Sequence, residues 1–187
     1  MSTAVGQEDI SVAEYLEGEK ATEIKREYVN GTVYAMGGAS REHNIVSMNL
    51  GTALHSQLRG GPCQTFMADM KVHIRLGDDE LFYYPDVVVG CDGEDAHRYY
   101  LERPHFIAEV LSPASERIDR REKFLAYTRL DSLSAYLLLE QERPAGVVYR
   151  RDADWRGEYL GEADSLQLPE LEFSLPMAEI YAGVATG

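Results

Sequence analysis

No apolar run in the chain approaches the ~20 residues that a membrane-crossing helix needs, so no membrane-spanning segment is expected. The N-terminus, MSTAVGQEDI, has neither a basic n-region nor an apolar h-region and does not read as a signal peptide. Residues 1 to 8 are expected to be disordered. Cysteine is scarce. Cys63 and Cys91 are the only two, and they form no CxxC or Cys/His metal pattern. The expectation is a pair of small buried hydrophobes in a reduced, cytoplasmic setting. Basic charge is also in short supply: 18 Lys and Arg face 32 Asp and Glu, for a net charge of -14. That deficit argues against non-specific nucleic-acid binding by the surface as a whole. The sequence shows no internal repeat, low-complexity tract or clear linker, and its 187 residues favour one domain, 1–187.

What the chain does contain is a mixture of helix and strand signals. Ser11 and Glu14 form a capping box ahead of a short helix, SVAEYLEGE. Asn30-Gly31 lies between two β-rich runs in IKREYVNGTVYAM and predicts a two-residue hairpin turn. Ser40 is a good N-cap for a longer helix whose stripe is Val46, Leu50, Leu54 and Leu58. Gly60-Gly61-Pro62 ends it. The strands that follow include LFYYPDVVV, read as one strand pairing with the run before it, then HFIAEVL and SAYLLLE. Asp119 reads as the N-cap of a helix DRREKFLAYTRL between the last two, with Phe124, Tyr127 and Leu130 inward. The order of elements gives a mixed α/β domain.

Chemistry is concentrated between Tyr84 and Tyr127. Two apolar, β-branched runs each carry one carboxylate, Asp86 in the first and Glu109 in the second. An acid inside a buried run is costly unless it is paired or binds a metal. If the two strands are neighbours, Asp86 and Glu109 converge on one hard divalent cation. Lys123 follows on the helix and is placed to bring its ammonium to the same point. Two acids and one lysine suit metal-assisted hydrolysis of a phosphodiester. The other reading of the same residues is structural: Asp86 caps a turn, and Glu109 pairs with Arg117 or Arg121. His43, in the first turn of the long helix, is either a capping residue or an anion contact. Seven of the 18 basic residues fall between positions 97 and 129, with only five of the 32 acids, so positive charge gathers around the candidate site. A polyanion drawn to that segment and a solvated helix with i,i+4 pairs are both consistent with it.

The pieces REYVNGTVYAM, SREHNIVSMNL, DMKVHIRL, YYPDVVV and AEVLSPASERIDRREKFLAY, in this order and spacing, resemble the Uma-two family of restriction-type endonucleases. That family lies within the PD-(D/E)xK nuclease superfamily. The resemblance runs through most of the chain. It implies a restriction-endonuclease-like α/β fold: a central mixed β-sheet flanked by helices, with an N-terminal helix and hairpin. It also implies roles. Asp86 matches the family's PD aspartate, Glu109 its second acid and Glu27 its N-terminal acid, all three ligands for Mg²⁺ or Mn²⁺. The superfamily usually places a lysine two residues after the second acid, where this chain has Leu111. In branches where the lysine has moved to the following helix, Lys123 is the matching residue.

The resulting expectation is a metal-dependent endonuclease acting on DNA through Glu27, Asp86, Glu109 and Lys123, with His43, Arg117 and Arg121 as substrate contacts. A homodimer is expected, because enzymes that cut both strands pair two sites. Two other readings stay open: a non-catalytic binding or regulatory protein on a nuclease fold, and a hydrolase of another phosphoester such as RNA.

Overall fold

A computed structural model describes residues 9–185 other than Ala96 and Ala114, so the expected disorder of residues 1 to 8 lies outside the described residues. The chain opens with helix α1, Val12–Ala21, started by the reciprocal Ser11–Glu14 capping box. The predicted hairpin follows as β1, Arg26–Val29, and β2, Thr32–Ala35. Val29 pairs with Thr32 across a two-residue turn. Asn30 at φ 45° and Gly31 at φ 89° both take the left-handed conformation that this turn requires. Helix α2, Arg41–Leu58, starts at Ser40, whose side chain accepts from the His43 N–H as an N-cap should.

The strands β3 (Gln64–Met67), β4 (Lys71–Leu76), β5 (Asp79–Tyr83), β6 (Val87–Gly90), β7 (Tyr100–Leu101) and β8 (Pro104–Leu111) come next. A helical segment then runs from Glu116 to Tyr127 in three parts: α3 (Glu116–Ile118), a π-helical turn (Asp119–Lys123) and α4 (Phe124–Tyr127). The chain continues through β9 (Ala135–Glu140), β10 (Gly146–Arg150), β11 (Gly157–Leu160), β12 (Ser165–Leu168) and β13 (Phe173–Pro176), and α5 (Met177–Ile180) follows. Among the described residues no helix is long and apolar enough to cross a membrane.

The expected mixed sheet is the six-stranded one, in the order β11-β10-β9-β8-β6-β3, with β8 and β9 parallel and the other pairs antiparallel. A second, five-stranded sheet in the order β2-β1-β5-β4-β7 stands beside it, and β12 and β13 form a separate ribbon. LFYYPDVVV is therefore not one strand. β5 pairs with β4 as expected, but the chain leaves the five-stranded sheet at Tyr84-Pro85 and enters the six-stranded sheet at Val87. Pro85 has no N–H to continue a ladder, so the break falls there.

Alternation along the six-stranded sheet gives it two buried faces. Val87, Val89, Phe106, Ala108 and Val110 face a core built with Val46, Leu50 and Leu54 of α2. Val88, Ile107 and Leu111 face the opposite core with Val72, Ile74, Tyr127 and Tyr136. Glu109, between Ile107 and Leu111 on that second side, is carried into the space between the sheet and the helical segment.

The cysteines correct the expectation of separate thiols. Cys63 and Cys91 form a disulfide, with Cα atoms 4.0 Å apart. Gln64 pairs with Gly90 at one end of the β3–β6 ladder, and the cysteines are the next residues out on each strand. They are not fully buried but packed, partly exposed, against the edge of the apolar core, and bonded to each other.

Candidate active site

Asp86 stands where the chain crosses from one sheet to the other. Val87 pairs with Ala108, so one further step along the antiparallel register brings Asp86 beside Glu109. The Val110 N–H donates to Asp86 Oδ2 at 2.7 Å. Asp86 Oδ1 lies 2.8 Å from His43 Nε2, which fixes the first turn of α2 against the start of β6. Neither acid caps a turn or pairs with Arg117 or Arg121. The two strands are neighbours, the condition on which the two acids were expected to meet, and the register sets Asp86 next to Glu109.

Lys123 completes the arrangement from the other side. Its ammonium lies 3.0 Å from Glu109 Oε1, 3.0 Å from Glu27 Oε1 and 3.2 Å from Asp119 Oδ1. Its side chain is only 5% exposed, and those of Glu109 and Asp119 are 4% and 2% exposed. Glu27 reaches in from β1, where it also accepts from the Tyr84 N–H at 3.3 Å. Tyr127 donates its hydroxyl to the same Glu109 oxygen at 3.2 Å. The Tyr83 ring lies 5.5 Å from the ammonium.

The π-helical turn explains how Asp119, Lys123 and Tyr127 share one face. In an α-helix each four-residue step runs ~40° ahead of the last, because 3.6 residues complete a turn. A π turn holds more residues, so the step from Asp119 to Lys123 falls short instead. The α-helical step from Lys123 to Tyr127 then restores the phase. Asp119 is thus not the N-cap that the sequence implies. The helix begins earlier, at Glu116, and Asp119 lies inside it with its carboxylate buried beside Lys123.

Three carboxylates, Glu27, Glu109 and Asp119, meet one ammonium, and Asp86 lies next along the sheet from Glu109. Burial pushes the Glu109 carboxyl well above the usual range; Lys123 opposes the rise, and Asp119, Asp86 and Glu27 add to it. Burial works against the charge on Lys123, yet Glu109, Glu27 and Asp119 together outweigh it and hold the ammonium well above its ordinary value. Burial, then Glu27, pushes the Tyr83 phenol up to about 12. The site is therefore short of positive charge.

Hard carboxylate oxygens in such excess suit Mg²⁺ or Mn²⁺. Among the described residues, no three His, Cys, Asp or Glu side chains are grouped so that they could hold a metal ion as they stand. Lys123 occupies oxygens of Glu27 and Glu109, and His43 an oxygen of Asp86. Asp86, Glu109 and Glu27 are the carboxylates whose oxygens have the chemistry such an ion would need.

His43, Asp86, Glu109, Glu27 and Lys123 are thus brought together. Arg117 and Arg121 are not. Both are exposed, and Arg117 pairs with Glu122 at 3.5 Å on the outer face of the helical segment. Asp119 and Tyr127 are the contributors that sequence reasoning passed over as a cap and a core residue. Their signal was present in the four-residue spacing of Asp119, Lys123 and Tyr127 after the second acid. A neighbouring network was also missed. Buried Lys71 reaches the Tyr84 hydroxyl at 3.2 Å, and that hydroxyl donates to Glu19 of α1 at 2.7 Å.

Residues 12–178 match the Uma2 family, described as "Putative restriction endonuclease". An uncharacterized protein of Synechocystis is 34% identical over 179 residues, covering 94% of this chain and 93% of its own. A second from the same organism is 32% identical over 135 residues, covering 71% and 75%. A crystal structure described as "a putative nuclease belonging to DUF820 from Anabaena variabilis" superposes with a TM-score of 0.74 at 17% identity, covering 94% of this chain and 99% of that one. The fold is thus one that a nuclease-type protein also has.

Proposed function

The chain belongs to the Uma2 family, and from that premise we propose that it is an endonuclease that hydrolyses DNA phosphodiester bonds with Mg²⁺ or Mn²⁺. The observation that carries the reading is the meeting of Asp86 and Glu109 on adjacent strands with the Lys123 ammonium 3.0 Å from Glu109. Leu111 occupies the position where the superfamily usually has its lysine, and Lys123, one helical segment later, supplies the cation instead.

When bound, the divalent ion supplies a more acidic water and neutralises charge on the scissile phosphate. The protein groups have separate tasks. Asp86, Glu109 and Glu27 present hard oxygens from three different strands or strand ends. His43 and the Val110 N–H orient the Asp86 carboxylate. Lys123 faces the negative charge that grows on the phosphoryl oxygens as water bonds to phosphorus and the bond to the leaving sugar oxygen breaks. The aromatic walls of Tyr83 and Tyr127 limit water around that ammonium, which strengthens its field. The reading includes a homodimer, since cutting both strands of a duplex at one place takes two such sites.

The test is incubation of the purified protein with supercoiled plasmid in Mg²⁺, Mn²⁺ or EDTA, with Asp86→Ala in parallel. Nicking that needs the metal and is lost in Asp86→Ala is the expected result. Equal nicking by both proteins, or none by the wild type with plasmid, sinks the DNA reading. Cleavage of an RNA substrate under the same conditions would then favour another phosphoester. Sedimentation as a monomer at micromolar concentration refutes the dimer.

A further inference from the structure

Lys123 depends for its position on the groups that a metal would claim. Two of its three carboxylate partners, Glu27 and Glu109, are the proposed ligands of the divalent ion. A cation drawn to their oxygens competes with the ammonium for the same electron pairs and repels it at short range. The ammonium, left with no other anchor, moves away from the centre on its four-carbon stem. The third partner, Asp119, differs from the other two in where it is attached. Glu27 and Glu109 belong to β1 and β8, whereas Asp119 and Lys123 share the five-residue π turn. Asp119 thus travels with Lys123. Its backbone is fixed independently, since the Tyr136 hydroxyl donates to the Asp119 carbonyl at 3.1 Å. Its Oδ1 is buried without a hydrogen bond, and Lys123 at 3.2 Å meets it as a charge contact. Such an atom is costly to bury unless the charge beside it stays there.

We propose that Asp119 is a positioning residue that keeps the Lys123 ammonium at the site when Glu27 and Glu109 turn to a divalent cation. The inference rests on the reading that this site binds such a cation. Before metal binds, three carboxylates share the ammonium. Afterwards, Asp119 holds it alone, and the ammonium remains free on its other side for the substrate.

The test is a double-mutant cycle read as Mn²⁺ affinity by calorimetry, with no cleavage step in it. The four proteins are wild type, Asp119→Asn, Lys123→Met and the double variant. In Asp119→Asn the ammonium leans wholly on Glu27 and Glu109 and competes harder with the ion, so affinity falls about tenfold. In the Lys123→Met background the same substitution is expected to change little. An equal loss in both backgrounds overturns the proposal, because Asp119 then acts on the ion directly or through the fold. A second measurement needs no variant at Asp119. The buried Lys123 ammonium is followed by NMR in the wild type, assigned through its contact with the Tyr83 ring, as Mg²⁺ is added. Its protons are expected to stay protected while the amides of Glu27 and Glu109 shift; loss of protection on those same shifts overturns the proposal. Failure of the wild type to bind either ion removes the cation reading and this role with it, an outcome distinct from binding with a background-independent effect of Asp119→Asn.

Discussion

The imidazole of His43 meets the carboxylate of Asp86 at 2.8 Å, joining the start of the long helix to the point where the chain changes sheets. The other ring nitrogen, Nδ1, is buried without a partner, so this one contact sets the ring's orientation. Partners that orient a ligating carboxylate typically contribute 10- to 100-fold to metal affinity or rate. His43→Ala is therefore expected to weaken Mn²⁺ binding by about 10-fold while leaving the far-ultraviolet circular dichroism unchanged. Unaltered affinity would show that the Val110 N–H alone is enough to hold Asp86.

Charge crowding around Glu109 makes a stability prediction. Its carboxyl is raised in the folded protein, first by burial and then by Asp119, Asp86 and Glu27 against the pull of Lys123. A raised group stabilises the fold while protonated, and that contribution is lost as pH climbs from the unfolded value of about 4.3 through the folded one. Glu109→Gln removes the charge permanently. At neutral pH, without metal, the variant is expected to be more stable by about 1 kcal/mol. The two proteins should converge as the pH approaches about 4, where wild-type Glu109 carries its own proton. Denaturant melts at both pH values check the sign; a variant less stable at neutral pH refutes it.

Glu27 owes its place to the hairpin turn. Gly31 stands at φ 89°, and a methyl group there would also come within 3.0 Å of the Asp9 side chain. Gly31→Ala is expected to cost about 1 kcal/mol in urea unfolding, with an unchanged slope. Weaker Mn²⁺ binding should accompany it, as the strand bearing Glu27 loosens. Full stability in the variant would mean that the turn tolerates the side chain.

The Cys63–Cys91 bond closes a loop of about 28 residues. Its loss by Cys63→Ser is expected to lower stability by about 3 kcal/mol. Mn²⁺ affinity should survive, because Asp86 is held at the opposite end of β6 by His43 and Val110. Simultaneous loss of stability and metal binding would show that strand β3 supports the site after all.

Much of the site was legible in the sequence because it depends on near-neighbour rules. A carboxylate in each of two apolar runs pointed to a shared site on condition that the runs are neighbours, and Asn30-Gly31 implied the hairpin that carries Glu27. Lys123 was visible as a cation on the helix after the second acid, and family resemblance alone gave it the place of the superfamily lysine, since Leu111 stands at the usual spacing. Three features were hidden for physical reasons. LFYYPDVVV is apolar throughout, and local preference does not reveal that its two halves join different sheets. Cys63 and Cys91 meet only because β3 pairs with β6, a long-range event that cysteine spacing does not encode. Asp119 looked like a cap because acids are favoured at helix starts. Its true position depends on the π turn, which is set by packing against Tyr136 and the sheet. Arg117 and Arg121 follow the basic patterning of the segment, but that pattern belongs to its solvent face.

The widened turn from Asp119 to Lys123 has a bearing on how this protein changes over generations. Arg121 and Glu122, inside it, are exposed and touch neither core. Deleting the codon for either would let the backbone relax into an ordinary α-helix. Tyr127 and the strands would stay packed, but Asp119 and Lys123 would meet across three residues of an α-helix instead of four of a wider turn, at a different angle. The scaffold would persist while the contacts of Lys123 changed. A single codon in this helix can thus alter the surroundings of the ammonium while sparing both cores.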